Sequence, residues 1–308
     1  MEGKVIKGFG RYYTVKSGSE EYTCVLRGKI KQDKRLKRYS DPVAVGDLVA
    51  FFLNADGGGG VIETIHERKN IFSRKDRGNR KEDILASNLD QIIVIQSYDE
   101  PPFNLRFVDR LFVRGEKEGI PVLLCVNKSD LAGPKDEEYI RSYYKKTNMK
   151  VISVSARTGR GLGEMKKMTA GKCSVLAGYS GVGKSSILNG IYPGLDLKTS
   201  TVSESTGKGR HTTTNVALVD IDDRTSIIDS PGLREFGLMD IEPRDLAGYF
   251  SDFRDYIDDC RFKPCTHDHE PECGVKKQVE AGGIFYDRYI SYLNILYSLK
   301  EYYDNMYS

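Results

Sequence analysis

The chain has 308 residues, 39% of them hydrophobic and 30% charged, which is typical of a globular protein and excludes a disordered or fibrous one. This length favours two or three domains over a single core. The net charge of +3 does not by itself demand a nucleic-acid partner, and apolar runs such as Val122–Val126 are too short to span a membrane. Because Met1–Lys4 lacks the apolar segment of a signal peptide, we expect a cytoplasmic protein that does not enter membranes.

The basic residues are concentrated in two short runs. Seven of the twelve residues from Arg27 to Arg38 are Lys or Arg, and a second run extends from Arg74 to Lys81. Such runs are usually solvated surface. Two of them flanking one domain favour a phosphate-rich partner such as RNA.

Residues 1–70 carry several short strand patterns and no clear helical period. Arg11–Lys16 alternates, Tyr22–Leu26 is apolar, and further strands are predicted over Asp47–Leu53 and Val61–Ile65. This spacing predicts a small β-barrel of the OB type, a fold that binds oligonucleotides across one face. The alternative is a packing domain with a solvated basic loop.

Residues 71–240 are predicted to form an α/β domain that begins with a polar connector over residues 71–90. Strands are predicted over 92–95, 122–126, 151–154, 173–177, 216–219 and 226–228, and helices over 105–118, 137–146 and 163–168. Buried strands that alternate with helices indicate a parallel sheet with helices on both faces.

Between a predicted strand and a predicted helix, Gly178–Ser185 has the G-x-x-x-x-G-K-S spacing of a phosphate-binding loop, or P-loop. Glycines let successive backbone N–H groups point at phosphate oxygens, and the helix that follows adds its positive end. Lys184 supplies a charge for the β- and γ-phosphates, and Ser185 offers a hydroxyl to Mg²⁺. The predicted phosphate-binding residues are Gly178, Tyr179, Ser180, Gly181, Val182, Gly183, Lys184, Ser185 and Ser186.

A second motif, N-K-x-D, makes guanine the expected base. It comprises Asn127, Lys128, Ser129 and Asp130, directly after a predicted strand, where ligands bind on open α/β sheets. The Asp130 carboxylate can accept hydrogen bonds from guanine N1–H and the 2-amino group, whereas adenine would leave it unpaired. Asn127 can tie this loop to the P-loop, and Lys128 can lay its stem over the base. Ser155 and Ala156 follow another strand and fit the loop whose backbone N–H meets guanine O6.

Magnesium and the γ-phosphate have their own candidate ligands. Asp229 begins a D-x-x-G motif and is placed to hold Mg²⁺ through water, and the Gly232 N–H can contact the γ-phosphate. The Gly- and Thr-rich segment 206–214 is predicted to order around the γ-phosphate and Mg²⁺. Either Thr212 or Thr213 is expected to coordinate Mg²⁺, with Thr212 preferred from its distance to the next strand.

The motifs occur in a permuted order. GTPases of the Ras type run P-loop, threonine loop, D-x-x-G, N-K-x-D and S-A, whereas here N-K-x-D and S-A come first. This order predicts a circularly permuted GTPase sheet, which is tolerated because chain termini usually lie close together on a domain surface. The D-x-x-G segment then leads directly into the C-terminal residues, so we expect it to transmit nucleotide state to them.

Hydrolysis needs a group that the usual motif lacks. Leu233 follows Gly232, where many GTPases place a glutamine that orients the attacking water. Leucine cannot orient water, so intrinsic hydrolysis is expected to be slow. The catalytic candidates are Lys184, for phosphate charge, and His211, which is equally compatible with a contact to phosphate or to a partner.

Residues 241–308 combine a cysteine cluster with a tyrosine-rich helix. Cys260, Cys265, His267 and Cys273 offer three sulfurs and one nitrogen, which suit a closed tetrahedral structural Zn²⁺ site with one ion per chain. His269 is a possible substitute for His267. An apolar stripe predicts a helix over Ile284–Tyr303 that packs on the domain, and its tyrosines are more simply core than surfaces for stacking RNA bases.

These features together resemble the bacterial ribosome small-subunit-dependent GTPase A family over essentially the whole chain. The resemblance rests on Asn127–Asp130, Ser155–Ala156, Gly178–Ser186, Gly209–Thr214, Asp229–Gly232 and Cys260–Cys273. It agrees with a multidomain architecture: an OB-type β-barrel over 1–70, a circularly permuted α/β P-loop GTPase domain over 71–240, and an α-helical zinc-binding domain over 241–308.

The resemblance also implies a function. Members hydrolyse GTP to GDP and phosphate with Mg²⁺, are stimulated by the 30S ribosomal subunit, contact 16S rRNA through both flanking domains, and act late in 30S maturation. A monomer is expected. The other hypothesis is a GTP-regulated module that binds RNA or protein and hydrolyses GTP only incidentally.

Overall fold

The computed structural model describes residues 1–30, 36–55, 59–74, 81–195, 216–229, 237–238 and 240–307. Its strands are β1 (Glu2–Phe9), β2 (Tyr12–Ser17), β3 (Glu20–Leu26), β4 (Leu48–Leu53), β5 (Gly60–Ile65), β6 (Ile71–Arg74), β7 (Asp83–Ser87), β8 (Gln91–Ser97), β9 (Val122–Asn127), β10 (Lys150–Ser153), β11 (Cys173–Ala177), β12 (Ala217–Asp220) and β13 (Ser226–Asp229). Its α-helices are α1 (Leu105–Glu118), α2 (Pro134–Tyr144), α3 (Leu162–Thr169), α4 (Lys184–Ile191), α5 (Arg254–Ile257), α6 (Gly274–Glu280) and α7 (Tyr286–Tyr307).

The first five strands form the predicted barrel. They pair in the order β1-β2-β3-β5-β4, and β1 also pairs with β4, which closes the sheet. Alternate side chains of these strands point inward, because successive residues of a strand face opposite sides. Val5, Val15, Cys24, Val49 and Ile62 are all fully buried in its core. Strand β1 was not among the strands predicted from the sequence, since Glu2–Phe9 mixes charged residues, glycines and apolar residues without a clear alternation.

The second part of the sheet has the order expected of a P-loop domain. Strands β10, β9, β8, β11 and β13 are parallel, and β12 pairs antiparallel with β13. Strand β8 is buried along its whole length because helices cover both faces. Helix α1 packs on one face together with the C-terminal residues, and α3 and α4 pack on the other. The predicted parallel sheet with helices on both faces is therefore confirmed, with β12 as its one antiparallel strand.

The barrel and the P-loop sheet are continuous. Strand β1 pairs antiparallel with β12 through Lys7 and Ala217, so one sheet of 11 strands runs through both units. A second connection is a buried ion pair, because Asp47 accepts hydrogen bonds from Arg68 and from the Ser87 hydroxyl. Both attachments fix the barrel against the edge of the P-loop domain.

The prediction of a connector over residues 71–90 is wrong in part. Strands β6 and β7 pair there as a separate two-stranded antiparallel sheet. Phe72, Leu85 and Ala86 are buried against the main core, so a few apolar residues stabilise strands within an otherwise polar stretch. Strands β6 and β7 are too short to show the alternation of apolar and polar residues by which a longer strand is predicted.

The C-terminal residues share their core with the P-loop domain. A 3₁₀ helix over Pro243–Tyr249 is followed by α5, α6 and the long helix α7. Tyr289, Tyr292, Leu296 and Leu299 are buried on one face of α7, as its apolar stripe predicts. The Tyr289 and Tyr292 hydroxyls donate to the carbonyls of residues 267 and 266, so these two tyrosines belong to the core. Among the described helices, none combines the length and the apolar character needed to cross a bilayer.

Candidate nucleotide site and metal centre

The P-loop connects β11 to α4 in a conformation that requires glycine. A Cβ atom on Gly178 would lie 2.4 Å from the Ile95 carbonyl oxygen, and Gly183 has a φ of 92°. A Cβ on Gly183 would also lie 2.2 Å from the Asn127 side-chain nitrogen. These close approaches let the loop curl against β8 and the N-K-x-D segment, as a phosphate-binding loop must.

Lys184 lies across the mouth of this loop. Its Nζ donates to the carbonyls of Gly178 and Tyr179, at 2.8 and 3.0 Å. The ammonium group therefore stands where the loop curls, at the first residue of α4. Phosphate oxygens are stronger acceptors than these carbonyls, so an incoming phosphate can replace them.

The P-loop is also braced by α1. The Tyr179 ring packs on Phe107, with ring centroids 4.6 Å apart, and its hydroxyl accepts a hydrogen bond from Asn104 at 3.3 Å. Asn104 caps α1 by accepting from the backbone N–H of Phe107. The loop is thus attached to the start of a helix whose other end contacts the C-terminal residues.

Asn127 joins three of the predicted motifs. Its Nδ2 donates to the Val182 carbonyl at 2.8 Å, and its Oδ1 accepts from the Ala156 backbone N–H at 3.1 Å. Asn127 is almost completely buried, so both bonds form away from water. One amide therefore holds the P-loop, the N-K-x-D segment and the Ser155–Ala156 loop together at the carboxyl ends of neighbouring strands.

Asp130 lies at the same edge with both carboxylate oxygens in use. The Ser155 hydroxyl donates to Oδ1, and Arg157 lies 2.8 Å from Oδ2. The Ser155 hydrogen bond and the Arg157 charge lower the pKa of Asp130 below its usual value, so the group is ionised at neutral pH. Lys128, at a φ of 59°, extends its ammonium group to the Glu100 carbonyl.

Asp229 ends β13 opposite Leu176 of β11, beside the P-loop. Its Oδ1 is buried, and no hydrogen-bond donor lies within reach of it in the described part of the chain. Burial raises the pKa of Asp229, and the nearby Lys184 charge opposes this shift. An ionised buried oxygen without a donor is costly unless a cation or its hydration shell satisfies it. The carboxylate thus fits a Mg²⁺ ligand, with the buried Ser185 hydroxyl at the start of α4.

Four predicted site residues, His211, Thr212, Thr213 and Gly232, lie outside the described residues. Their roles stay predictions. The structure places the other predicted nucleotide residues on neighbouring loops at one edge of the sheet.

The four predicted metal ligands converge. One ligand atom from each of Cys260, Cys265, His267 and Cys273 lies within 4.8 Å of the others. The Cys260 and Cys273 sulfurs are 3.8 Å apart, and His267 Nδ1 lies 3.2 Å from the Cys273 sulfur. Zn–S bonds of about 2.3 Å in a tetrahedron give sulfur separations of about 3.8 Å, so the donor set fits zinc. His269 is exposed and lies outside the cluster.

Backbone amides orient these sulfurs. The N–H of His267 donates to the Cys265 sulfur, that of Gly274 to Cys260, and that of Lys276 to Cys273. Such bonds favour thiolates, the form that binds metal. A Cβ on Gly274 would lie 2.4 Å from the Tyr256 carbonyl oxygen, so only glycine lets the chain pass this close to α5.

A buried charge network, not predicted from the sequence, joins α1, α2 and α7. Arg288 of α7 pairs with Asp109 of α1 and with Asp252, and none of these three is exposed by more than 8%. Tyr143 and Tyr144 of α2 both donate to Asp109. Burial raises the pKa of Asp109, and the Arg288 charge opposes that shift. The sequence signal for it was an aspartate close to the apolar residues Val108 and Phe112.

Comparisons with known proteins agree with the geometry of the site. A family model described as RsgA GTPase matches residues 65–239, and one described as RsgA N-terminal domain matches residues 2–62. A Flavobacterium johnsoniae protein named small ribosomal subunit biogenesis GTPase RsgA is 39% identical over 98% of this chain and 95% of its own length. A Chlorobaculum tepidum protein of the same name is 37% identical over 98% of this chain and 99% of its own.

Solved structures show the same architecture. YjeQ from Thermotoga maritima superposes with a TM-score of 0.75 and 34% identity, over 97% of this chain and 98% of its own. YloQ, described as a circularly permuted GTPase, gives a TM-score of 0.70 and 28% identity, over 97% of this chain and 95% of its own. With the P-loop preceded by the N-K-x-D and S-A loops on one sheet, these matches identify the chain as a member of the RsgA GTPase family.

Proposed function

We propose that this protein binds GTP with Mg²⁺ and hydrolyses it to GDP and phosphate during the maturation of the small ribosomal subunit. The observation that carries the proposal is the placement of Asn127, whose amide holds the P-loop against the two guanine loops. A phosphate cradle and a guanine-selective carboxylate then lie on one sheet edge, at the spacing of a single nucleotide site.

In this proposal the phosphates lie over Gly178–Ser186 and receive backbone N–H groups at the start of α4. Lys184 leaves the loop carbonyls and neutralises the β- and γ-phosphates. Ser185, Asp229 through water, and Thr212 or Thr213 would hold Mg²⁺, and Gly232 would contact the γ-phosphate. The ion supplies charge neutralisation on the transferring phosphoryl group.

The guanine base would lie between Lys128 and the Ala156 loop. Asp130 is kept ionised by its neighbours and accepts the N1–H and 2-amino protons. The Ala156 N–H already donates to Asn127 Oδ1. To recognise guanine O6 as well, it would have to share its proton between these two acceptors. This arrangement selects guanine over adenine because adenine would leave a carboxylate unpaired.

Attack by water requires help from a group other than residue 233, which is leucine. We propose His211 for this role, and we propose that the ribosome places it. Lys184→Ala removes charge at the phosphates and should lower the turnover rate by about 100-fold or more. Lys167→Ala, on the exposed side of α3, is the matched control and should hydrolyse GTP as the unaltered protein does.

The metal centre is proposed to hold one structural Zn²⁺ through three thiolates and His267 Nδ1. Four protein ligands leave no position for substrate, so the ion holds residues 260–273 in shape without taking part in hydrolysis. The His267 side chain is fully buried, which agrees with a structural role.

The proposed partner is the 30S subunit, with 16S rRNA as the contacted component. The names of the relatives support the small subunit. The barrel and the basic run from Arg27 to Arg38 support RNA as the contacted surface. A ribosomal partner places the protein in the cytoplasm, where we propose that it acts as a monomer.

The test compares GTP turnover with no subunit, with purified 30S subunits and with 50S subunits. The proposal expects stimulation by 30S alone, lost in Lys184→Ala. Turnover that 30S subunits do not change would favour the second hypothesis, a GTP-regulated binding module. Leu233 is the observation behind that hypothesis, because it predicts slow intrinsic hydrolysis.

A further inference from the structure

The Asp130 carboxylate is engaged from two opposite environments. Ser155, which donates to Oδ1, is fully buried and approaches from the protein interior. Arg157, which lies 2.8 Å from Oδ2, has 75% of its side chain exposed and approaches from solvent. Ser155 therefore uses one lone pair of Oδ1 from the interior, and Arg157 covers the accessible side of the carboxylate at Oδ2.

A guanine base has to reach Asp130 from that accessible side. Its N1–H and 2-amino donors lie in one plane, and each needs a carboxylate oxygen facing the base. The Asp130 side chain is only 13% exposed, so little of the carboxylate is open to any ligand. Arg157 and the base thus compete for the same part of Oδ2.

We propose that Arg157 is an intramolecular competitor of guanine at Asp130, which occupies the carboxylate when the site is empty and speeds nucleotide release. This inference rests on the proposed function, since it assumes that Asp130 receives the base. When the base tilts away, the guanidinium group is already tethered two residues beyond Ser155 and can take its place at Oδ2. The site therefore exchanges nucleotide faster than Asp130 alone would allow.

The same loop provides a matched control. Arg160 lies three residues further along, has 55% of its side chain exposed, and pairs with Glu137 at 2.8 Å. It resembles Arg157 in charge, exposure and pairing, but its partner is on α2 and is not part of the guanine site. Any general effect of removing one positive charge from this loop should appear in both variants.

The experiment measures the release rate of fluorescent mant-GDP with Mg²⁺ for the full chain and for Arg157→Gln, Arg157→Lys and Arg160→Gln. An exposed arginine–carboxylate pair contributes a small free energy, so Arg157→Gln should slow release about two- to fivefold. Arg157→Lys retains a cation and should release mant-GDP at nearly the original rate. Arg160→Gln should leave the rate unchanged.

Salt provides an independent readout. Exposed ion pairs are screened at high ionic strength, so the difference between the unaltered protein and Arg157→Gln should narrow from low salt to 1 M NaCl. Slower release in Arg160→Gln as well would mean a general charge effect and would overturn the inference. Unchanged release in Arg157→Gln would also overturn the inference. Faster release would overturn it too, because the guanidinium group would then be stabilising the bound base.

Failure of the guanine site itself gives a different result. If the unaltered protein bound mant-ADP as tightly as mant-GDP, Asp130 would not select guanine. The proposed function would then fail, whatever the Arg157 variants show. If mant-GDP is selected but Arg157→Gln releases it at the original rate, only the inference about Arg157 fails.

Discussion

Arg288 and Asp109 form an ion pair from which solvent is completely excluded, although one lies on the C-terminal helix and the other beside the P-loop domain's core. Asp252 and two tyrosine hydroxyls complete the surroundings of the pair. A buried pair stabilises little by itself, but removing one partner leaves the other charge without compensation. The attachment of the C-terminal residues therefore depends on these few polar contacts being complete.

Replacement of Arg288 by methionine should destabilise the protein by about 3–5 kcal/mol, because the buried carboxylates of Asp109 and Asp252 lose the counter-charge of Arg288. Urea unfolding at pH 7 measures this loss. Asp109→Asn keeps the shape of the side chain and leaves the Arg288–Asp252 pair, so its cost should be smaller. The exposed pair Lys263–Asp258 is the control, and Lys263→Met should change the free energy of unfolding by less than about 0.5 kcal/mol.

Replacement of Asp229 by asparagine should stabilise the nucleotide-free protein while it abolishes Mg²⁺-dependent hydrolysis. Burial raises the pKa of Asp229, so its ionised form at neutral pH is held at a cost that a neutral amide avoids. The folded carboxyl binds its proton more tightly than the unfolded one. Its contribution to stability therefore falls as pH rises through the raised pKa.

Thermal unfolding of the two proteins across pH 4 to 8 tests this prediction for Asp229. The gain in melting temperature should be largest at pH 8 and should shrink toward pH 4, because the raised pKa of Asp229 lets its carboxyl take up a proton as the pH falls. A lower melting temperature for Asp229→Asn at pH 8 would contradict the assignment of Asp229 as an uncompensated charge.

Replacement of Asp130 by asparagine should weaken GTP binding by about ten- to 100-fold, because the amide cannot accept both guanine donors. The asparagine amide can instead donate to the O2 carbonyl of xanthine. Titration with mant-GTP and with xanthosine triphosphate should therefore show the preference reversed. Lys135→Ala, on the exposed first turn of α2, is the control. An unchanged preference in Asp130→Asn would remove Asp130 from base recognition.

Replacement of Cys265 by serine should release the metal, since a serine hydroxyl is a poor zinc ligand at neutral pH. Metal analysis should fall from one zinc per chain toward none. Hydrogen exchange should then rise over residues 260–280. His269→Ala should retain its zinc because its side chain lies outside the cluster. One zinc per chain in Cys265→Ser would refute the ligand set.

The motif residues could be predicted from sequence because their chemistry and their positions relative to strands coincide. Helix α1 was predicted with its observed bounds, since Asn104 caps it and Gly119 ends it in a left-handed conformation. Asn127 was expected to tie its loop to the P-loop and does so. The four predicted metal ligands lie within fourteen residues, so local spacing alone was enough to predict that they cluster, as they do.

What sequence could not provide are contacts between distant segments. Asp109 and Arg288 are separated by 179 positions, and each by itself looks like a surface charge on an amphipathic helix. Strands β6 and β7 were missed because Phe72 and Leu85 are buried against the main core, a contact that the local sequence pattern does not reveal. Burial of polar groups is a property of tertiary packing, which hydrophobic periodicity does not encode.

The carboxylate of Asp240 is held by both terminal nitrogens of Arg114, one at 2.8 Å, and by Lys117. Burial would raise the pKa of Asp240, but Arg114 and Lys117 hold it well below its usual value. Asp229 at the end of β13 and Asp240, which is held by Arg114 and Lys117 of α1, therefore attach both flanks of the D-x-x-G segment to the same domain. Because both flanks are fixed to the P-loop domain, we expect nucleotide state to alter the surface that a partner meets there and to leave the position of the Cys/His cluster unchanged.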